Sequence, residues 1–212
     1  MARGLFLTFE GIDGCGKTTQ LALLSERLHE TGRDIVETVE PGGTEAGRAI
    51  RALLLFPRHP PLSARAELLL YFASRAQNVN EVISPALERG ATVLCDRFTD
   101  STVVYQGAGR GVEESAILEL HRIACGNIFP DLTILLDMDP ETSLARARLR
   151  NTLAGSGETR MDDESCAFFH RVRDGYLRLA AAAPQRIRLI DAREPVEIVA
   201  RNVWNEVGAH VR

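Results

Sequence analysis

Short apolar runs alternate with longer stretches of helical period along the chain, the pattern of an α/β protein built on a parallel sheet. Leu5–Glu10 reads as a first strand, followed by a helix from about Lys17 to Thr31 with Leu21, Leu24 and Leu28 on one face and Gly32 as its stop. Asp34–Glu40 reads as a second strand, ended by Pro41-Gly42-Gly43, and Thr44 caps a helix reaching about Leu55. Phe56 to Pro61 is a proline-rich loop. Ser63 opens a long helical segment to Gly90, in which Pro85 should kink or restart the helix with Ser84 as a cap. Thr92–Asp96 reads as a third strand, continuous in apolar character through Val93-Leu94-Cys95, as expected of a strand buried in mid-sheet. Glu113–Cys125 reads as a helix, Leu132–Asp137 as the fourth strand, and Pro140 suits a first helical turn. Asp162–Ala183 is expected to be helical, Arg186–Ile190 a fifth strand and Glu194–Val211 a closing helix. These elements predict one domain over residues 1–212: five parallel strands flanked by helices.

Asn151–Thr159 breaks the pattern. It holds Gly155-Ser156-Gly157, has few apolar residues and is flanked by Arg146, Arg148, Arg150 and Arg160. That composition suits a mobile surface loop.

With 212 residues, 45% hydrophobic and 25% charged, the chain can bury a sizeable core, and disorder is set aside for most of its length. No stretch approaches the roughly 20 apolar residues a membrane-spanning helix requires. The net charge of -4 supplies no general basic field for nucleic acid, so an anionic ligand must be held by local arginines and backbone N–H groups. Cys15, Cys95, Cys125 and Cys166 form no C-x-x-C pair; a metal or disulfide framework is not expected, and a reducing cytoplasm is the simpler compartment.

The chemistry begins at Gly11-Ile12-Asp13-Gly14-Cys15-Gly16-Lys17-Thr18, a full match to G-x-x-x-x-G-K-[ST] between a predicted strand and a predicted helix. Glycines let backbone N–H groups turn inward around phosphates, and the helix start adds roughly half a positive charge. Lys17 supplies a full charge to the β- and γ-phosphates, and the Thr18 hydroxyl is placed for Mg²⁺. Gly11, Asp13, Gly14, Cys15, Gly16, Lys17, Thr18 and Thr19 thus form the expected ATP cradle. The motif implies a bound nucleoside triphosphate without choosing between kinase, ATPase and GTPase. The third strand ends in Asp96-Arg97-Phe98. Strand ends at one edge of a parallel sheet share a crevice, so Asp96 and Arg97 should meet Lys17 there. Asp96 can hold Mg²⁺ or orient an acceptor, and Arg97 can clamp a second phosphate bidentately; an Asp–Arg pair that only orders the loop is the alternative. No guanine-reading N-K-x-D is recognisable.

Together with Asp13 in the P-loop, the segments Glu40-Pro41-Gly42-Gly43-Thr44, Leu69-Leu70-Tyr71-Phe72-Ala73-Ser74-Arg75, Asp96-Arg97-Phe98, Tyr105-Gln106-Gly107, Phe129-Pro130-Asp131-Leu132-Thr133 and Phe168–Leu177 resemble the signatures of thymidylate kinases. They occur in the expected order from about residue 5 to residue 192. The resemblance implies a P-loop nucleoside monophosphate kinase fold and transfer of the γ-phosphoryl of ATP to dTMP, giving dTDP and ADP for dTTP synthesis, with Mg²⁺ as cofactor. It implies substrate contacts at Asp13 (the 3′-OH), Glu40, Pro41, Arg51 and Arg97 (the monophosphate), Tyr71 (stacking on thymine, usually Phe in the family), Arg75 (base edge), Thr102, Tyr105 (deoxyribose) and Gln106 (pyrimidine edge). The i, i+4 spacing of Tyr71 and Arg75 independently places them on one helix face. Thr18 and Asp96 are the expected metal ligands. Ile12, Asp13 and Cys15 carry no positive charge, so the chain looks like the type whose basic residue lies in a lid at about residues 148–160, where Arg148, Arg150 or Arg160 closes over the transferring group. A homodimer is implied by resemblance alone; neither nucleic acid nor membrane is an expected partner. Val39 stands where many relatives have arginine, and the lid is longer and more glycine-rich than in some relatives.

Overall fold

The computed structural model describes residues 3–57, 62–154, 158–161 and 164–211. Five strands form one sheet: β1 (Phe6–Glu10), β2 (Ile35–Val39), β3 (Thr92–Asp96), β4 (Leu132–Asp137) and β5 (Ile187–Asp191). Their order is β2-β3-β1-β4-β5, and every neighbouring pair is parallel. β1 is therefore central, buried along its whole length, and its Phe9 lies in register with Asp96 of β3. This order sets the ends of the first and third strands side by side, as the crevice argument requires.

Alternation along β1 divides its side chains between the two faces. Leu7 and Phe9 join Leu94, Ile134 and Leu136 in a core covered by α1 (Lys17–Glu30) and α9 (Val196–Gly208). Leu21, Leu24 and Leu28 of α1 all lie in that core, as their spacing predicts. Phe6, Thr8 and Glu10 take the opposite face. There Thr8 and Thr133 pair their hydroxyls at 2.8 Å, and Phe6 packs edge-on to Phe98. That face is covered by α8 (Cys166–Ala182) and by the helical run from α3 (Ala64–Asn78) through α4 (Ser84–Glu88). α2 (Glu45–Leu55) and α6 (Glu114–Cys125) pack on α3.

Three local expectations change. An α-helical stretch does restart at Pro85, which sits in the first turn of α4, but Ser84 makes no side-chain cap. Instead α3 passes into a wide π-helical turn, Val79–Ile83, and on into α4. A π turn re-spaces the backbone where a proline lacks its N–H and crowds the preceding turn. Second, Thr99–Gly109, with no sequence assignment, is helical: α5 (Thr99–Thr102) continues as a π-helical segment, Val103–Gly109. Third, α7 (Pro140–Ala154) runs four residues into the expected loop. Asn151 is buried there, so its polarity marks a place in the cleft wall and not a solvent-exposed coil. Gly155-Ser156-Gly157 of the expected lid, Pro60 and Pro61 of the proline-rich loop, and Asp162 at the expected start of the penultimate helix lie outside the described residues. Among the described residues, no helix is long and apolar enough to cross a membrane.

Candidate active site

The loop between β1 and α1 packs tightly on α7. Gly14 has φ +89°, and a Cβ there would lie 2.0 Å from the Ser143 carbonyl oxygen, so only glycine fits. Ser143 Oγ also donates to Asp13 O at 2.7 Å, tying α7 to the loop. Gly16 precedes α1, and the Lys17 side chain folds back over the loop, its Nζ donating to Gly11 O (3.1 Å) and Ile12 O (3.0 Å). Cys15 is buried behind the loop, and burial pushes its thiol pKa up.

Arg97 follows the last residue of β3, and its backbone N–H donates to Phe9 O at 3.0 Å. It has φ 71°, the one positive value at a non-glycine residue among those described. That turn aims the guanidinium at the P-loop: Nη1 donates to Gly11 O (2.9 Å) and Nη2 to Asp13 Oδ1 (2.7 Å). Lys17 and Arg97 therefore meet at a single carbonyl oxygen. Asp13 also accepts from the Tyr105 hydroxyl at 3.2 Å. Burial works against the Asp13 carboxylate, but the charges of Arg97 and Lys17 outweigh it and hold its pKa well below the usual range. Thr18 Oγ1 donates to Asp96 Oδ2 at 2.9 Å, bringing a hydroxyl and a carboxylate together in the cleft wall.

Behind this cradle lies Glu10, fully buried at the end of β1. It accepts from Phe98 N (2.7 Å), Ser101 Oγ (2.6 Å) and Tyr176 OH (2.7 Å), and so fixes the chain on the far side of Arg97. Sequence reading missed it, because a glutamate ending a strand has no motif of its own.

A second part of the cleft lies between β2's end, α3 and the 99–109 segment. Glu40 is buried and pairs with Arg75, while Asn78 Nδ2 donates to its other oxygen at 3.1 Å. Burial pushes the Glu40 pKa up, yet both oxygens accept N–H donors, so the ionised form is the one these bonds select. Arg75 Nη2 donates to Thr102 Oγ1 (3.0 Å) and Phe98 O (3.2 Å), leaving Nη1 without a partner. Tyr71 lies one turn before Arg75, its hydroxyl pKa pushed up to about 12 by burial and the nearby Glu67 charge. Gln106 Nε2 donates to Glu67 Oε1 at 3.0 Å. Arg51 donates to Pro41 O (2.8 Å) and makes a two-pronged pair with Glu158 (2.8 and 2.7 Å).

These groups line one cleft of about 690 Å³. Of the predicted residues, Asp13, Gly14, Gly16, Lys17, Thr18, Thr19, Glu40, Pro41, Arg51, Tyr71, Arg75, Asp96, Arg97, Thr102, Tyr105, Gln106 and Arg150 are in its wall. Val39 is there too. Gly11 contributes the carbonyl that Lys17 and Arg97 share, and Cys15 supports the loop from behind. Among the lid arginines, Arg148 is not in the wall, and Arg160 is committed to Glu67 (2.6 Å) and the Leu54 carbonyl. Arg146, named in sequence only as a flanking charge, does line the cleft. Spacing alone could not separate these arginines, because one helical position turns a side chain by about 100°. Glu141, Cys166 and His170 are the one His/Cys/Asp/Glu group among the described residues close enough to share a metal; none of them lines the cleft.

The sequence model of the thymidylate kinase family matches residues 9–203. A thymidylate kinase of Geobacter sp. (strain M21) is 53% identical over 92% of this chain and 87% of its own length. One from Solidesulfovibrio magneticus is 48% identical over 96% and 99%. The crystal structure of thymidylate kinase from Ehrlichia chaffeensis superposes with a TM-score of 0.79 at 33% identity, covering 97% of this chain and 99% of that one.

Proposed function

The chain belongs to the thymidylate kinase family and is an ATP-dependent kinase converting dTMP to dTDP; from that premise we propose how the residues of the cleft divide the reaction. The observation that carries the reading is the convergence of Lys17 and Arg97 on Gly11 O. Two cations at one point offset the repulsion between a triphosphate and a monophosphate brought end to end. Lys17 and the P-loop N–H groups take the ATP side, while Arg97 and Arg51 take the acceptor phosphate. Arg146 and Arg150, on the α7 wall, are the cations set to face the transferring group. The acceptor oxygen is already anionic near neutral pH, so positioning and charge neutralisation supply most of the acceleration without a strong base.

Thr18 and Asp96 would hold Mg²⁺, which prefers oxygen ligands of this kind. When bound, the ion supplies further charge neutralisation at the phosphates. Asp13, held between Arg97 and Tyr105, presents a fixed carboxylate to the sugar hydroxyl. Tyr71 stacks on the base, the free N–H of Arg75 meets its O4, and Gln106 meets its N3. Exposed leucines on three packed helices, Leu53 of α2, Leu69 of α3 and Leu118 of α6, support a homodimer through that side.

The reading is tested by ADP release with ATP across the common nucleoside monophosphates. dTMP should turn over fastest. dUMP, lacking one methyl group, should fall by about 10- to 200-fold in kcat/KM, and CMP and AMP should be near background. Equal rates for dTMP, CMP and AMP would overturn the base-site assignment.

A further inference from the structure

Glu67 has no part in the roles above, yet it lies directly behind Gln106, a residue of the cleft wall. On α3 it is the first of three residues at helical spacing, Glu67, Tyr71 and Arg75, so it belongs to the same stripe that faces the base. It is 1% exposed and accepts from three side chains: Gln106 Nε2 (3.0 Å) and Arg110 Nε (2.6 Å) at Oε1, and Arg160 Nη2 (2.6 Å) at Oε2. Burial alone would push its pKa up; the hydrogen bonds from Gln106, Arg110 and Arg160 outweigh that and hold it ionised.

We propose that Glu67 is a specificity-positioning residue that fixes the orientation of the Gln106 amide and thereby selects the pyrimidine. This rests on the assignment of Gln106 to the pyrimidine edge. An ionised carboxylate has no hydrogen to give, so only the NH₂ side of the amide can face it. The amide is planar, and its Oε1 is left as the group available to the cleft that Gln106 lines. Turning the amide over would set two oxygens against each other at a buried site, which is costly.

Gln106 Oε1 is then a fixed acceptor, and Arg75, in the wall of the same cleft, keeps one unpartnered donor, Nη1. That pair matches N3–H and O4 of thymine or uracil. Cytosine offers the reverse, an acceptor at N3 and an amino group at position 4, and meets repulsion at both points. Discrimination against cytosine thus comes from an amide that is prevented from flipping.

The test compares kcat/KM for dTMP and dCMP in the unmodified enzyme, E67Q and E67D. A glutamine at 67 can present either face, so E67Q should lower the dTMP:dCMP ratio by roughly 10-fold or more, with dCMP gaining in absolute terms. E67D keeps the carboxylate and should retain the ratio even if both substrates slow. Should E67Q not fold, the double variant E67Q/R110Q removes one charge of each sign from this pair and should lower the ratio equally. A fall in both substrates together, with the ratio unchanged, is what a merely structural role gives and would overturn the proposal. N3-methyl-dTMP separates the two layers. If the unmodified enzyme accepts it as readily as dTMP, the contact between Gln106 and N3 is wrong; if it rejects it while E67Q leaves the ratio intact, only the role of Glu67 falls.

Discussion

His121 illustrates how far a single side chain can sit from any motif and still bear on the site. It is buried on α6, with Nδ1 2.8 Å from Thr99 Oγ1, its ring 4.2 Å from that of Phe129, and Nε2 unpartnered. Burial and the Arg75 charge lower its pKa from 6.5 to about 4. Because the unfolded chain binds the proton more readily, this contribution to stability is complete above pH 6.5 and drains away as pH falls toward 4. Denaturant unfolding at pH 7 and pH 5 should show the protein losing about 2 kcal/mol more than H121Q over that interval. Equal losses would mean that His121 titrates normally. At this scale the sequence was legible only where a motif fixes position. Lys17, Thr18, Asp96 and Arg97 are placed by strand ends, whereas Glu10, Glu67 and His121 depend on what the fold brings opposite them. Arg148 and Arg160 carry the same charge as Arg150, and only the helical phase of α7 and the contact with Glu67 tell them apart.

Between β2 and α2 the chain must clear the side chains that hold the base site together. A Cβ on Gly43 would lie 2.2 Å from Thr38 Oγ1 and 2.3 Å from Asn78 Oδ1, two atoms already hydrogen-bonded to each other at 2.8 Å. Displacing Asn78 removes a donor from Glu40, the partner of Arg75. G43A should therefore cost about 1–3 kcal/mol of stability, measured by thermal or denaturant unfolding, and raise the KM for dTMP more than that for ATP. An unchanged melting curve and KM would refute the link. The strands were read to within a residue or two because apolar runs and glycine or proline stops mark them clearly. The 99–109 helix was missed because Thr99-Asp100-Ser101-Thr102 gives no apolar period; its residues are held by Glu10, Arg75 and Arg186 instead. At Pro85 the restart of the helix was legible, but the π turn before it was not, since no periodicity rule anticipates one.

Across the whole molecule, a chain of net charge -4 concentrates cations where two strand ends meet. The parallel order β2-β3-β1-β4-β5 makes that possible by seating β1 beside β3. Motif spacing foresaw the meeting of Lys17 and Arg97; the sheet order itself comes from packing between distant segments, which local patterns do not encode. The central claim is that both nucleotides occupy this one cleft, with their phosphates end to end between the two cations. Calorimetric titration with a ligand joining adenosine and thymidine through one polyphosphate chain tests it most directly. One ligand should bind per chain, excluding both ATP and dTMP, and either K17A or R97A should weaken it by about 2–5 kcal/mol. Displacement by only one of the two nucleotides, or full affinity in R97A, would contradict the account.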